Sequence, residues 1–178
     1  HCFLGLPRLF ASRTKDDSRS SVVFICVDAM RADAVESVIS GYDITPRMDQ
    51  VANDGVVFTN HFSVSNWTRP STLAMLASTY GSSTGINFYG FSLGKNEKEY
   101  FYRESKTLPI NMALQKEGYI SASIGNNAFI LDYSGIGVDL GFDELSEYQT
   151  QCRDTVDITS EVVTWLKNNR HRDFFLFV

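Results

Sequence analysis

The chain has 178 residues, is 43% hydrophobic and 13% aromatic, and carries only four prolines and a formal charge of −5. That much apolar material builds one real core and excludes a disordered chain. The acidic balance leaves no electrostatic footprint for nucleic acid, and Cys2, Cys26 and Cys152 show neither metal-site spacing nor the even count of a disulfide framework.

The first ten residues, "HCFLGLPRLF", are apolar but too short to span a bilayer, which takes about 20 residues. The polar "ASRTKDDSRSS" follows. Residues 1–20 therefore read as an arm or linker: either the tail of a membrane anchor with its juxtamembrane spacer, or a packed N-terminal arm. Residues 21–178 read as one α/β domain.

"SVVFICV" (21–27) is a continuous, β-branched run, the pattern of a strand buried on both faces. Asp28 closes it. In open α/β sheets, chemistry gathers at the carboxyl ends of strands, and a carboxylate there can ligate a hard or borderline cation. It can equally cap a helix begun in "VDAMRAD", where Arg31 and Asp33 read as a local ion pair. "TPRMDQVANDG" (45–55) is a helix with Thr45 as cap, Pro46 in its first turn, Met48 and Val51 at helical spacing and Gly55 as its stop. "VVFTNHFSV" (56–64) reads as a second strand with His61 as a pleat residue. His1, His61 and His171 are too scattered for a histidine-based metal site.

"NWTRPSTLAML" (66–76) leads into a helix at Thr68, with Pro70 in the first turn and Leu73, Met75, Leu76 and Ala77 on or near one face. Thr68 carries two readings. It is a helix N-cap, or it is a nucleophile placed where free N–H groups and the helix dipole hold phosphate-like oxygens. "NWT" is formally an N-glycosylation acceptor, but a glycan on Asn66 would crowd Thr68, so it is expected to be unused.

Residues 81–106 form a long irregular excursion. "TLPINMALQKEG" (107–118) is a helix capped at Thr107 and ended by Gly118, and "YISASIG" (119–125) is a strand. "TVDITSEVVTWLKNN" (155–169) is amphipathic, with Ile158, Val162, Trp165 and Leu166 facing inward. "FFLFV" (174–178) is a buried strand with no turn after it, so the domain reads as truncated. There is no internal repeat, P-loop, G-x-S-x-G elbow or dinucleotide fingerprint. Strands alternating with helices imply an α/β fold: a mainly parallel sheet sandwiched by helices.

Taken in order, "VDAMRAD", "ITPRMDQVANDGVVFTNHFS", "TRPSTLAMLASTYGSSTGI", "LPINMALQKEGYISASIGNN" and "GFDEL" resemble the N-terminal half of the sulfatase branch of the alkaline phosphatase superfamily. In that family the nucleophile opens a C-x-P-S-R or S-x-P-S-R motif, which here reads Thr68-Arg69-Pro70-Ser71-Thr72. The resemblance implies Thr68 as catalytic nucleophile and Asp28 with Thr68 as metal ligands. The divalent ion would be calcium, zinc, manganese or magnesium. Asn87 falls where phosphodiesterase-like relatives carry an oxyanion-binding asparagine, and Asn126 falls in the substrate-gripping "G-K-W-H" segment.

This chain also departs from the pattern. Sulfatases oxidise Cys or Ser to formylglycine, and a threonine cannot become that aldehyde hydrate. Thr72 replaces the motif arginine, Ala29 replaces the second aspartate of an Asp-Asp pair, and Asn126 and Ala128 replace the lysine and histidine that grip sulfate. The family's remaining metal ligands, an Asp–His pair among them, are expected beyond "FFLFV", in the second half of the domain. The resemblance thus implies a hydrolase or transferase acting on phosphate esters in preference to sulfate esters. The alternatives are a non-catalytic fold used for binding, or a fragment inactive by itself. Expected partners are a small-molecule, lipid or glycan ester and the other half of the domain, with membrane association through the N-terminal region. Relatives often work outside the cytoplasm, and the N-terminal arm is compatible with that.

Overall fold

The computed structural model describes residues 19–83, 107–127, 141–146 and 154–178. Asn87 and most of the 81–106 excursion lie outside the described residues, as does the arm before Arg19. In chain order the described elements are β1 (Val22–Phe24), β2 (Val38–Ile39), β3 (Tyr42–Asp43), α1 (Pro46–Asp54) and α2 (Thr68–Ala77). Then follow α3 (Ile110–Lys116), β4 (Ile120–Ser123), β5 (Glu144–Leu145), α4 (Thr155–Asn169) and β6 (Phe174–Phe177).

Four strands make one parallel sheet in the order β1-β6-β4-β5. The α/β architecture read from the alternation of elements is the one observed. β6 shows why the sheet is covered on both faces. Strand side chains alternate between faces, and all four residues of "FFLF" are buried. Phe175 and Phe177 join Leu73, Leu76 and Ala77 of α2 and Phe142 in one cluster. Phe174 and Leu176 point the other way, to Ile120, Ala122, Ile124 and Trp165, with Ile158, Val162 and Leu166 of α4 packed around them. Phe142 stacks on Phe175 at 6.1 Å between ring centroids, and Trp165 meets Phe174 edge-on at 5.3 Å. Each such side chain removed from water stabilises the fold by about 1.5–3 kcal/mol.

α4 begins as its sequence dictates, with the Asp154 carboxylate accepting from the Asp157 N–H at 2.8 Å. β5 is tied to β4 by polar bonds. The Asp143 carboxylate accepts from the Ser121 N–H at 2.8 Å and from the Gln115 amide at 3.0 Å, and Gln115 also donates to the Gly141 carbonyl. Gly141 sits at φ +94°, and a Cβ there would come within 2.7 Å of Met112 Cγ. Only glycine meets both demands without strain.

Several expectations fail, each because pairing and packing override local pattern. The 21–27 run forms only the three-residue β1, and Val22 and Val23 stay exposed. Among the described residues β1 has one neighbour, β6, and the ladder continues by Cys26 N–H to the Val178 carbonyl at 2.8 Å. Residues 56–64 form no strand, because no described strand lies beside them and a β-run exists only when paired. α1 forms at its expected place, but it buries no residue, and Met48 and Val51 are exposed. The N-cap of α3 is Pro109, not Thr107. The structure adds a short hairpin, β2–β3. Ser40 and Gly41 turn it at φ +52° and +83°, the positive values that a two-residue I′ turn requires.

Candidate active site

In a parallel sheet every strand delivers its carboxyl end to the same edge. β1 is followed there by Asp28 and β4 by Asn126 and Asn127, while α2 presents its N-terminus. These segments line a cavity of about 920 Å³, completed by Met30, Phe62, Val64, Trp67, Met75 and Ile158. Among the described residues that line it there is no lysine or arginine.

Thr68 is the first residue of α2, and the N-cap is Trp67. The capping reading of Thr68 is therefore replaced by another geometry. Its Oγ1 lies 3.4 Å from Asp28 Oδ1 and 3.4 Å from Asp28 Oδ2. An O–H···O bond usually spans about 2.7–2.8 Å, so these contacts are long. Two oxygens that share a hard cation stand at about this separation.

Ser71, the other hydroxyl of the motif, is committed elsewhere. It lies 2.9 Å from Ser63 Oγ and donates to the Ser65 carbonyl at 3.0 Å, bracing the 63–65 segment beside the helix. Thr72, at the position of the motif arginine, is buried. Arg69 is fully buried, with its guanidinium 5.8 Å from the centre of the Trp67 ring. Cys26 is no rival nucleophile: burial first, and the Asp28 charge second, push its thiol up, which keeps it protonated.

Asp28 does not cap a helix either. Its Oδ1 accepts from the Ala29 N–H at 3.0 Å, and the chain turns at once through Ala29 at φ +57°. A non-glycine residue in this left-handed region costs about 1–2 kcal/mol, and such strain clusters at functional sites. Arg31 and Asp33 pair with each other, at 2.8 and 2.5 Å, and not with the site. His61 lies in an irregular segment on the cavity wall rather than in a strand.

Asn126 also lines the cavity. Sequence reasoning missed its neighbour Asn127, whose Nδ2 donates to Asp28 Oδ2 at 2.8 Å across 99 positions. It missed Ala29 as well, since nothing in "VDAMRAD" marks a left-handed alanine. The only signal for Asn127 was its place just past a strand end.

The sulfatase family model matches residues 20–178. The chain belongs to the sulfatase family. A curated relative, the N-acetylglucosamine-6-O-sulfatase of Bacteroides thetaiotaomicron, is 25% identical over 132 residues, covering 74% of this chain. The chain spans 22% of that relative's length. Sulfatase family members generally use a divalent metal. The oxygens gathered here, a carboxylate and a hydroxyl, suit calcium or magnesium, which take hard oxygen ligands. Among the described residues, no three His, Cys, Asp or Glu side chains cluster. The candidate site is thus built on one carboxylate together with neutral oxygens.

Proposed function

We propose that this chain carries the nucleophile half of a metal-dependent ester hydrolase or transferase in which Thr68 attacks the ester. The observation behind this reading is Thr68 Oγ1 facing both Asp28 oxygens at 3.4 Å at the carboxyl edge of the sheet. The charge balance of the cavity supports it. An anionic ester would enter beside Asp28 with no lysine or arginine on the described walls, so the site needs positive charge from elsewhere. A divalent ion supplies that charge and lowers the pKa of a hydroxyl beside it.

Thr68 Oγ1 gives up its proton to water and forms the new bond to phosphorus while the bond to the leaving alcohol's oxygen breaks, that oxygen taking a proton from water, leaving a phosphothreonine. Water or a second alcohol then displaces the group and restores the hydroxyl. Asp28 orients Thr68, and Asn126 contacts the transferring group. Asn87, outside the described residues, carries the same role by resemblance.

Phosphate mono- or diesters are the preferred substrates in this reading. A threonine lacks the easy elimination open to an aldehyde hydrate, so a threonine sulfate would be a poor intermediate. The runner-up is a sulfate ester, the substrate class in the relative's name. The test is the full-length protein on aryl phosphate, aryl phosphodiester and aryl sulfate with added divalent ions. Phosphate esters should turn over fastest, Thr68→Ala should lower kcat by at least ~10³-fold, and mass spectrometry of quenched enzyme should find phosphate on Thr68. A preference for sulfate overturns the substrate assignment. Inactivity on all three favours a binding protein on the same fold.

A further inference from the structure

We propose that Asn127 is a third oxygen ligand of the cation held by Asp28 and Thr68, reached by a half-turn of its amide. This rests on the metal-dependent reading above and goes beyond it, since Ala29 leaves Asp28 with no second carboxylate beside it in sequence.

Three side chains from three separate elements converge: Asp28 after β1, Thr68 opening α2, and Asn127 after β4. The separations of Thr68 and Asn127 from Asp28 are those of neighbouring ligands around one ion. Around a hard cation with oxygens at about 2.3–2.6 Å and roughly 72–90° between neighbours, adjacent oxygens stand about 2.7–3.7 Å apart. Asn127 Nδ2 is 2.8 Å from Asp28 Oδ2, and Thr68 Oγ1 is 3.4 Å from either Asp28 oxygen.

The amide end that meets Asp28 is a donor, which cannot face a cation. Rotation by half a turn about the Cβ–Cγ bond exchanges Nδ2 and Oδ1 with little change in their positions. The site would thus have two settings. Without an ion, the N–H₂ end satisfies the carboxylate; with an ion, the carbonyl end replaces it and both oxygens face the metal. A neutral third ligand adds coordination without the repulsion that a second carboxylate would bring to the empty site.

A rival role gives the opposite result. If Asn127 only holds Asp28 by a hydrogen bond, removing the amide frees a carboxylate oxygen, and ion binding stays the same or tightens. Titrate the full-length protein calorimetrically with Ca²⁺ and Mn²⁺. We expect Asn127→Ala to weaken binding by about tenfold or more and Asn127→Asp to bind as tightly as wild type or more tightly, because ligand number and charge set affinity. Melting in chelator checks that both variants fold, and Asn127→Asp should gain more from added Ca²⁺ than wild type does. Should Asn127→Ala fail to fold, Asn127→Asp decides alone, since weaker binding by it overturns the proposal. Unchanged or tighter binding by Asn127→Ala, with binding lost in Asp28→Ala, overturns the role of Asn127 and leaves the metal reading intact. No binding by wild type overturns both.

Discussion

Two regions of this molecule carry similar apolar patterns and treat them in opposite ways. Around β4 and β6, with α2 and α4 on the two faces, the apolar residues are buried: Phe175, Leu73 and Leu176 have no exposed surface. Between Ile25 and Trp67, Phe58 is 79% and Phe62 is 83% exposed, and α1 buries nothing. Hydrophobicity does not separate the two regions. What separates them is whether, among the described residues, a neighbouring strand or helix is present to receive the side chain. The site lies on the seam, with Thr68 on a buried helix and Asp28 on the exposed side. The proposed nucleophile thus stands on the well-packed half, and one candidate ligand comes from the other.

The sharpest way to break this contrast is Phe175→Ala, which removes a ring packed between β6 and α2 and should cost about 3–5 kcal/mol. Denaturant unfolding measures it, and a loss below 1 kcal/mol would mean that this cluster is not the main core. Next comes Gly141→Ala. It sets a methyl against Met112 at a positive φ and should cost about 1–3 kcal/mol in the same assay. Trp165→Phe keeps the packing against Phe174 and deletes the 2.7 Å bond from the indole N–H to Glu144, for a loss of about 1 kcal/mol. On the exposed side, Val51→Ala should stay within about 0.5 kcal/mol. A larger loss there would show that α1 packs against something in the folded protein.

The smallest effect sharpens the comparison through pH. The Asp49 carboxylate accepts from the Glu36 N–H at 3.0 Å and from the Thr45 hydroxyl at 2.8 Å, and these bonds hold the Asp49 carboxyl below the ordinary carboxylate range. Because the folded value lies below the unfolded one, the contribution is complete above the unfolded pKa and is lost as pH falls through the folded value. Hydrogen exchange at the Glu36 amide should therefore lose its protection at acid pH, at a pH where the β4–β6 amides keep theirs. Simultaneous loss in both regions would erase the distinction between them.

The sequence by itself determined what can be read within a few residues. The continuous burial of "FFLF", the inward stripe of Ile158, Val162, Trp165 and Leu166, and the position of α1 after Thr45-Pro46 are local patterns, and all are present. Motif order also marked Asp28 and Thr68 as a pair, and the fold brings them together. Only the tertiary structure decided where local pattern meets distant neighbours. It left 56–64 unpaired, placed His61 on a cavity wall, turned Ala29 left-handed and set Asn127 against Asp28. Thr68 and Asn127 reach Asp28 across 40 and 99 positions. Such contacts follow from strand order in the sheet, because β6 and β1 must lie side by side before the ends of β1 and β4 can share one edge. That order is a property of the whole packed chain, and no window of residues contains it.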